Sequence, residues 1–350
     1  MQGNQRAKAV IEDRIDVNTQ RPNVLILSSD SLFPHFFSDA SLKRLSEVTN
    51  WTRYSQREDS QSLRDQIAEA DVLMTTWHSP FLQREMLGDK PRLKLIAHCG
   101  GEVKSRVSEE LIDQIVVTNA ADPMAQGVAE MALALMLTMV RRIPDYTNEM
   151  RSGVIRTNDL VGEGETVRGR KVGIVGFGRI GRAFAKVAKP LGPELLVADP
   201  YSSAEFVASH AARLVELDDL VASSSVLVLA AALTPETRNL FDQRRLSLMP
   251  DGAYLINVAR GGLIDTDALI DELRRGRITA ALDVTDPVEP LPADHELRRV
   301  PNLLLTPHIA AGGLEMRRAI GELAVEEVVR FATGQPPRNQ VTREMLATMT

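Results

Sequence analysis

A single cysteine, Cys99, stands in the 350-residue chain. One thiol can form no intramolecular disulfide and can build no structural cysteine–zinc site, which fits a reducing cytoplasm. Residues 1–20 have no apolar core of the kind a signal peptide carries and read as a ragged polar extension. No apolar stretch approaches the ~20 residues needed to cross a bilayer. The longest, Val128 to Val140, contains Glu130 and reads as a buried helix. An excess of positive charge is also missing. The net charge of −6 gives no general pull toward nucleic acid or an anionic membrane. The six histidines fall in no metal-ligand spacing, so no metal site is expected. There is no G-x-S-x-G nucleophile elbow, and residues 173–181 lack the lysine and Ser/Thr of a phosphate loop. Short repeats and low-complexity segments are absent as well. What remains is an ordinary globular composition, 44% hydrophobic and 25% charged, in a chain long enough for two domains.

The most informative stretch runs from Lys171 to Pro200. An apolar run, Val172 to Val175, reads as a buried strand. It leads into Gly176-Phe177-Gly178-Arg179-Ile180-Gly181, then a helical pattern carrying Ile180, Phe184, Val187 and Ala188, then a second apolar run that ends on Asp199. The three glycines serve different ends. Gly176 allows the tight strand-to-helix turn, Gly178 lets a pyrophosphate approach the backbone, and Gly181 lets helix and strand pack closely. The helix N-terminus, with its free N–H groups and partial positive charge, then faces the phosphates. Asp199 stands where a carboxylate can accept hydrogen bonds from a ribose 2′,3′-diol, and it would repel a 2′-phosphate, favouring NAD over NADP. A glycine turn alone is weak evidence of a dinucleotide. Strand, turn, helix, strand and terminal acid in register over about thirty residues are much more specific.

Short strands alternate with helices on both sides of this unit, arguing for parallel α/β sheets. Before it, strands are expected at Val24–Leu27, Asp71–Trp77, Leu93–Ala97 and Ile115–Thr118, and helices at Ser41–Val48, Ser62–Ala70 and Met124–Arg142. After it, strands are expected at Ser225–Ala231, Ala253–Val258, Ile278–Val284 and from Leu303. Helices are expected at Leu217–Ala222, from Thr234-Pro235-Glu236-Thr237, at Thr266–Arg275 and at Gly313–Thr333. The loop Gly100-Gly101-Glu102 follows a strand end, where ligands bind in open α/β sheets. Its glycines expose backbone N–H groups suited to a carboxylate, and a plain turn explains them equally well.

Three polar residues follow strand ends in the second half: Arg260, Glu289 and His308. In a parallel sheet these ends share the edge that carries the glycine turn. Hydride transfer to a 2-keto acid needs a guanidinium for the carboxylate and carbonyl oxygens, and an acid titrating near neutrality. It also needs a carboxylate that orients the acid and favours its protonated form. Arg260, His308 and Glu289 supply one of each. Taken singly, each also has a bland reading: a capping charge, a satisfied loop histidine, a solvated acidic loop.

Together the motifs resemble those of the D-isomer-specific 2-hydroxyacid dehydrogenases. The matching stretches are VGIVGFGRIGRAFAKVAKPLG with Asp199, LTPET at 233–237, INVARGGLID at 256–265, AALDVTDPVEP at 280–290, the segment from Pro301 to Gly312, and VAEMALALML at 128–137. The resemblance implies that Arg260 binds the substrate carboxylate and carbonyl, that His308 is the general acid/base, and that Glu289 pairs with it. It implies that Gly100, Gly101 and Glu102 cradle the substrate carboxylate and that Asp283 holds the nicotinamide carboxamide. Arg179, Ile180, Thr234 and Ala259 are placed at the cofactor beside Gly176, Gly178, Gly181 and Asp199. The implied architecture is two Rossmann-like or flavodoxin-like parallel-sheet domains. The NAD-binding domain, residues 120–311, is inserted into a discontinuous substrate domain made of 1–119 and 312–350, with hinges near Ala120 and Ala311. A homodimer through the long helix is also implied.

The chain departs from the family where the substrate loop reads Gly100-Gly101-Glu102-Val103-Lys104 rather than G-V-G-V-D, and where Ala230-Ala231-Ala232 replaces H-x-P. The expected activity is interconversion of a 2-keto acid and a D-2-hydroxy acid with NAD. A formate or phosphite dehydrogenase shares the fold, but formate dehydrogenases carry glutamine where Glu289 stands. An NADH-sensing interaction protein of the corepressor type keeps the same catalytic set and would differ by binding NADH without turnover.

Overall fold

The computed structural model describes residues 21–88, 91–154, 164–346 and 349. The polar extension 1–20 and much of the loop between Gly153 and Gly169 lie outside the described residues. The chain divides into two compact units, Met1–Met124 with Leu314–Thr350, and Ala125–Gly313.

The first unit is built on five parallel strands: β1 (Asn23–Leu27), β2 (Asn50–Tyr54), β3 (Val72–Thr75), β4 (Leu95–His98) and β5 (Val116–Thr118). Their order is β2-β1-β3-β4-β5, the flavodoxin-like winding. Alternate side chains leave opposite faces. Leu25, Leu27, Leu73 and Ile96 pack against Leu63 and Ile67 of the helix Gln61–Ala68 and Leu111 of the helix Glu109–Gln114. On the other face Val24, Ile26, Val72, Met74 and Leu95 meet Leu45 of the helix Asp39–Val48 and Ile320, Ala324 and Val328 of the helix Leu314–Ala332. Burial on both faces is why the inner strands read as unbroken apolar runs. Strand β2 escapes that reading. It is an edge strand with only Tyr54 buried, so NWTRY shows no apolar pattern.

The second unit carries seven parallel strands: β6 (Lys171–Val175), β7 (Glu194–Ala198), β8 (Arg213–Leu214), β9 (Val226–Leu229), β10 (Tyr254–Asn257), β11 (Thr279–Leu282) and β12 (Leu303–Leu305). Their order is β12-β11-β10-β9-β6-β7-β8. The chain winds outward from β6 to β8, then returns to β9 on the other side. The switch point therefore falls between β6 and β9, where Val172 pairs with Val226. Ligands bind at such points in α/β sheets. One face is covered by Phe184 and Ala185 of the helix Arg179–Ala188 and by the helix Ala121–Val140, through Ala129, Ala132 and Met136. That second helix is long and apolar enough to be considered for a membrane, but eight of its residues are buried in the fold, as a core helix requires.

Two local expectations are corrected. The long helix expected at Met124–Arg142 runs over Ala121–Val140, with no second helix expected behind it. Instead Arg142 turns left-handed (φ 53°), and a second helix, Ile143–Arg151, starts with Pro144 in its first turn, where no backbone donor is needed. Thr234–Thr237 forms a turn with no helix behind it: the Thr237 hydroxyl accepts from Thr234 N (2.7 Å) and donates to Ala232 O (2.7 Å). The helix begins only at Gln243, where Asp242 caps it by accepting from Arg245 N at 2.8 Å.

Candidate active site

The glycine turn sits at the β6/β9 switch. Gly176 has φ 88°, and a Cβ there would lie 2.6 Å from Ala231 Cα, so only glycine fits the turn. A Cβ on Gly181 would lie 2.2 Å from Gly176 O, the close helix–strand approach expected of it. At Gly178 a Cβ would meet nothing within 4 Å. Gly178 is also the N-cap of the helix Arg179–Ala188 and, having no side chain, makes no cap bond of its own. Open space over a helix N-terminus fits a pyrophosphate. Arg179 and Ile180 are the first two residues of this helix. Asp199 follows β7 and turns back onto the glycine turn. Its Oδ2 accepts from Phe177 N at 2.6 Å and its Oδ1 from Tyr201 N at 2.8 Å. A carboxylate has about four lone-pair sites, so acceptor capacity remains for a ribose diol. The Thr234 hydroxyl lies 3.3 Å from that of Thr237, inside its own turn, and Ala259 is buried.

The ends of β10, β11 and β12 carry the remaining residues along the same sheet edge. His308 Nδ1 lies 2.8 Å from Glu289 Oε2. A carboxylate only accepts, so Nδ1 carries the proton of that bond and Nε2 is left for chemistry. His308 itself is left-handed (φ 53°), a conformation that costs about 1 kcal/mol or more for a residue with a Cβ. The surrounding hydrogen bonds offset the cost. His308 N donates to Asp283 O (2.8 Å), while the fully buried Asp283 carboxylate accepts from the Thr306 hydroxyl (2.6 Å), Ile309 N (3.0 Å) and Ala310 N (2.9 Å). Asp283 thus folds the whole exit of β12 around its side chain. The Arg260 guanidinium donates to Ala259 O at 2.7 Å. Its backbone is clamped by the buried Asn257, which donates from Nδ2 to Arg260 O (2.8 Å) and accepts at Oδ1 from Ala259 N (3.0 Å). The next residue, Gly261, packs on the loop that leads to Glu289, since a Cβ there would lie 2.2 Å from Thr285 C.

In the first unit, the loop after β4 is fixed through its carbonyls. Gly100 O accepts from Ala120 N (2.8 Å) and Gly101 O from Asn119 Nδ2 (2.7 Å). The Glu102 carboxylate folds back on its own turn, accepting from Ser105 N (2.9 Å) and Ser105 Oγ (2.6 Å).

Residues 133–310, half of the chain, match the family described as D-isomer specific 2-hydroxyacid dehydrogenase, NAD binding domain. The glyoxylate reductase of Thermococcus onnurineus is 34% identical over 292 residues, 81% of this chain and 86% of its own. The chain belongs to the D-isomer specific 2-hydroxyacid dehydrogenase family. The D-3-phosphoglycerate dehydrogenase of Methanocaldococcus jannaschii is 32% identical across 91% of this dehydrogenase and 59% of its own length. Among solved structures, the 2-hydroxyacid dehydrogenase of Ketogulonicigenium vulgare superposes with a TM-score of 0.77 at 25% identity, over 92% of this chain and 99% of the other. The dehydrogenase is therefore an oxidoreductase with an NAD-binding domain, in a family that uses NAD or NADP. The matched region contains the glycine turn, Asp199, Arg260, Asp283, Glu289 and His308. The loop Gly100–Glu102 lies outside it.

Three positioning residues of the dehydrogenase are not apparent from strand-end chemistry alone: Asn257, Thr306 and His98. Asn257 carried a readable signal, since an asparagine at a strand end often bonds its own following turn. His98 borders the glycine loop but is sealed beneath it. Its Nδ1 lies 2.9 Å from Thr75 Oγ1, and a Cβ on Gly100 would lie 2.4 Å from its Nε2. Burial, reinforced by the charge of Arg106 and only partly opposed by a backbone hydrogen bond at Glu102, holds its pKa down at about 3. A histidine depressed on folding stabilises the native state above its unfolded pKa of about 6.5 and withdraws that stability as pH falls toward 3. From pH 7 to 5 the dehydrogenase is thus expected to lose on the order of 2 kcal/mol more than a His98→Gln variant. Urea unfolding at both pH values checks this. Equal losses in the two proteins would remove His98 as the cause.

Proposed function

We propose that the dehydrogenase reduces a 2-keto acid to the D-2-hydroxy acid with NADH, with His308 as the proton donor. The observation that carries this reading is the His308–Glu289 pair at 2.8 Å, on the sheet edge that also holds the glycine turn. Glu289 fixes the ring and its tautomer, and His308 Nε2 delivers a proton to the carbonyl oxygen as negative charge develops there. The planar Arg260 guanidinium binds the substrate carboxylate and carbonyl oxygens. In the loop Gly100–Glu102, the backbone N–H groups of Gly101 and Glu102 would be offered to the carboxylate, while the Gly100 N–H is taken by His98 O at 3.0 Å. The helix N-terminus at Gly178, Arg179 and Ile180 would hold the pyrophosphate, with Asp199 at the adenosine ribose and Thr234, Ala259 and Asp283 along the cofactor. When bound there, the nicotinamide supplies the hydride.

Steady-state NADH oxidation with glyoxylate, hydroxypyruvate, pyruvate, phenylpyruvate and branched 2-keto acids tests the reading. Tight NADH binding with no turnover on any of them would replace it with that of a cofactor sensor. The same assay tests the choice of cofactor. Asp199→Ser removes the charge that repels a 2′-phosphate, and the ratio of kcat/KM for NADH over NADPH is expected to fall about tenfold or more. A ratio that does not move would show that Asp199 has no part in the discrimination.

A further inference from the structure

After the helix Leu314–Ala332 the chain turns at Gly334 (φ 71°) and runs back along that helix as residues 335–341. Arg330 holds the start of this returning segment, donating from Nε to Pro336 O at 2.8 Å. Glu327, one turn earlier on the helix, holds its middle. Glu327 is only 1% exposed, and its carboxylate accepts from Arg338 N (3.0 Å), Asn339 N (3.2 Å) and Asn339 Nδ2 (2.7 Å). A carboxylate buried this deeply is costly unless its lone pairs are met, so the bonds fix the residues that donate them. The segment then meets β5, the edge strand of the first unit's sheet. Gln340 bridges antiparallel to Thr118, and Val341 N donates to Val117 O at 2.8 Å. Asn119, just beyond β5, donates from its N–H to Asn339 O at 3.1 Å.

Asn119 is buried and turns its side chain to the loop after β4, donating from Nδ2 to Gly101 O at 2.7 Å. Its neighbour Ala120 donates from N to Gly100 O at 2.8 Å. A trans peptide is planar, with its C=O and the next residue's N–H pointing in opposite directions. Holding Gly101 O therefore aims the Glu102 N–H, and holding Gly100 O aims the Gly101 N–H. These are the two donors that would meet the substrate carboxylate. Glycine places little restriction on its own backbone, so without these bonds the peptide planes of the loop would be free to rotate. The exit of the loop has a weaker hold, Val103 N at 3.4 Å from Met349 Sδ.

We infer that Asn119 is a positioning residue for the reaction, and that Glu327 and Asn339 set it from the returning segment. The relay Glu327–Asn339–Asn119–Gly101 aims the donors for the C1 carboxylate from outside the loop that carries them. The inference rests on the 2-keto acid reading above and deepens it. Carboxylate binding is shared by the ground state and the transition state, so loosening its donors raises KM more than it lowers kcat. A merely structural role would instead reduce the folded fraction, and with it kcat, at unchanged KM.

Asn119→Ala removes the donor to Gly101 O. It is expected to raise KM for the preferred 2-keto acid about tenfold or more, with kcat within about threefold of the parent and NADH affinity unchanged. Glu327→Gln keeps the side chain's size but exchanges one acceptor for a donor, and it should raise KM about threefold or more. If Asn119→Ala does not fold, Glu327→Gln decides alone. Unchanged KM in both variants, or a fall in kcat at unchanged KM, overturns the relay while the dehydrogenase reading stands. A raised KM in Asn119→Ala with none in Glu327→Gln removes the part given to the returning segment. If no 2-keto acid is turned over at all, the reductase reading fails by itself. Calorimetric titration of the NADH-loaded protein with oxamate then decides the relay. Saturable binding that weakens about tenfold in Asn119→Ala sustains it, and absent or unaltered binding removes it.

Discussion

His308→Asn is expected to lower kcat for keto-acid reduction roughly a thousandfold, the scale of a lost general acid, while NADH binds as before. The reason lies in how little else the side chain holds. The His308 backbone, through its N–H to Asp283 O, keeps the loop in place, and the carboxylate of Asp283 ties down Ile309 and Ala310 independently of the imidazole. The imidazole itself meets Glu289, and both side chains are partly exposed. Asparagine tolerates the left-handed backbone better than most residues, so the variant should fold. Glu289→Gln keeps the ring in reach of a neutral amide and should cost less, about tenfold to a hundredfold. NADH fluorescence titration and single-turnover absorbance at the nicotinamide band separate binding from chemistry. A His308→Asn enzyme within tenfold of the parent rate would rule out the proton-donor role.

Arg260→Lys is the second large effect, and it discriminates more finely. Lysine keeps the positive charge but loses the planar fork that meets a carboxylate and an adjacent carbonyl through parallel hydrogen bonds. A loss in kcat/KM of about a hundredfold to a thousandfold is expected, on the scale of one or two charge-assisted hydrogen bonds. The backbone should stay in place, because Asn257 clamps Arg260 O and Ala259 N without using the guanidinium. Circular dichroism should therefore be unchanged. Kinetics within threefold of the parent would show that Arg260 serves only its own turn, where it donates to Ala259 O.

The sequence made visible what depends on backbone pattern. The strand at Val172–Val175 and the steric demands of the glycine turn were legible because strand burial on two faces and glycine sterics leave direct traces in residue type. The His308–Glu289 pair followed from chemistry and resemblance, since a separation of nineteen positions says nothing about approach. Less legible were features whose cause is tertiary. Asp283 looks like any acid at a strand end, yet its carboxylate organises the β12 exit through three donors that arrive from Thr306, Ile309 and Ala310. His98 looks like a candidate beside a glycine loop, yet burial under Gly100 makes it a neutral structural residue. Strand β2 is hidden by its exposure at the sheet edge. The helix Ile143–Arg151 is hidden by a proline that marks a start as readily as a stop.

Strand β12 has a consequence for how this enzyme wears out. It is three residues long, stands at the edge of the sheet, and among the described residues pairs only with β11, through Ala280–Leu303, Ala281–Leu304 and Leu282–Leu305. His308, the proposed proton donor, hangs from its end. Short edge strands open at a lower free energy than the sheet centre, so heat inactivation need not wait for the fold to melt. The operational lifetime of the catalyst is then expected to follow the fraying of that edge, and tightening β12 against β11 is expected to lengthen it more than strengthening either core.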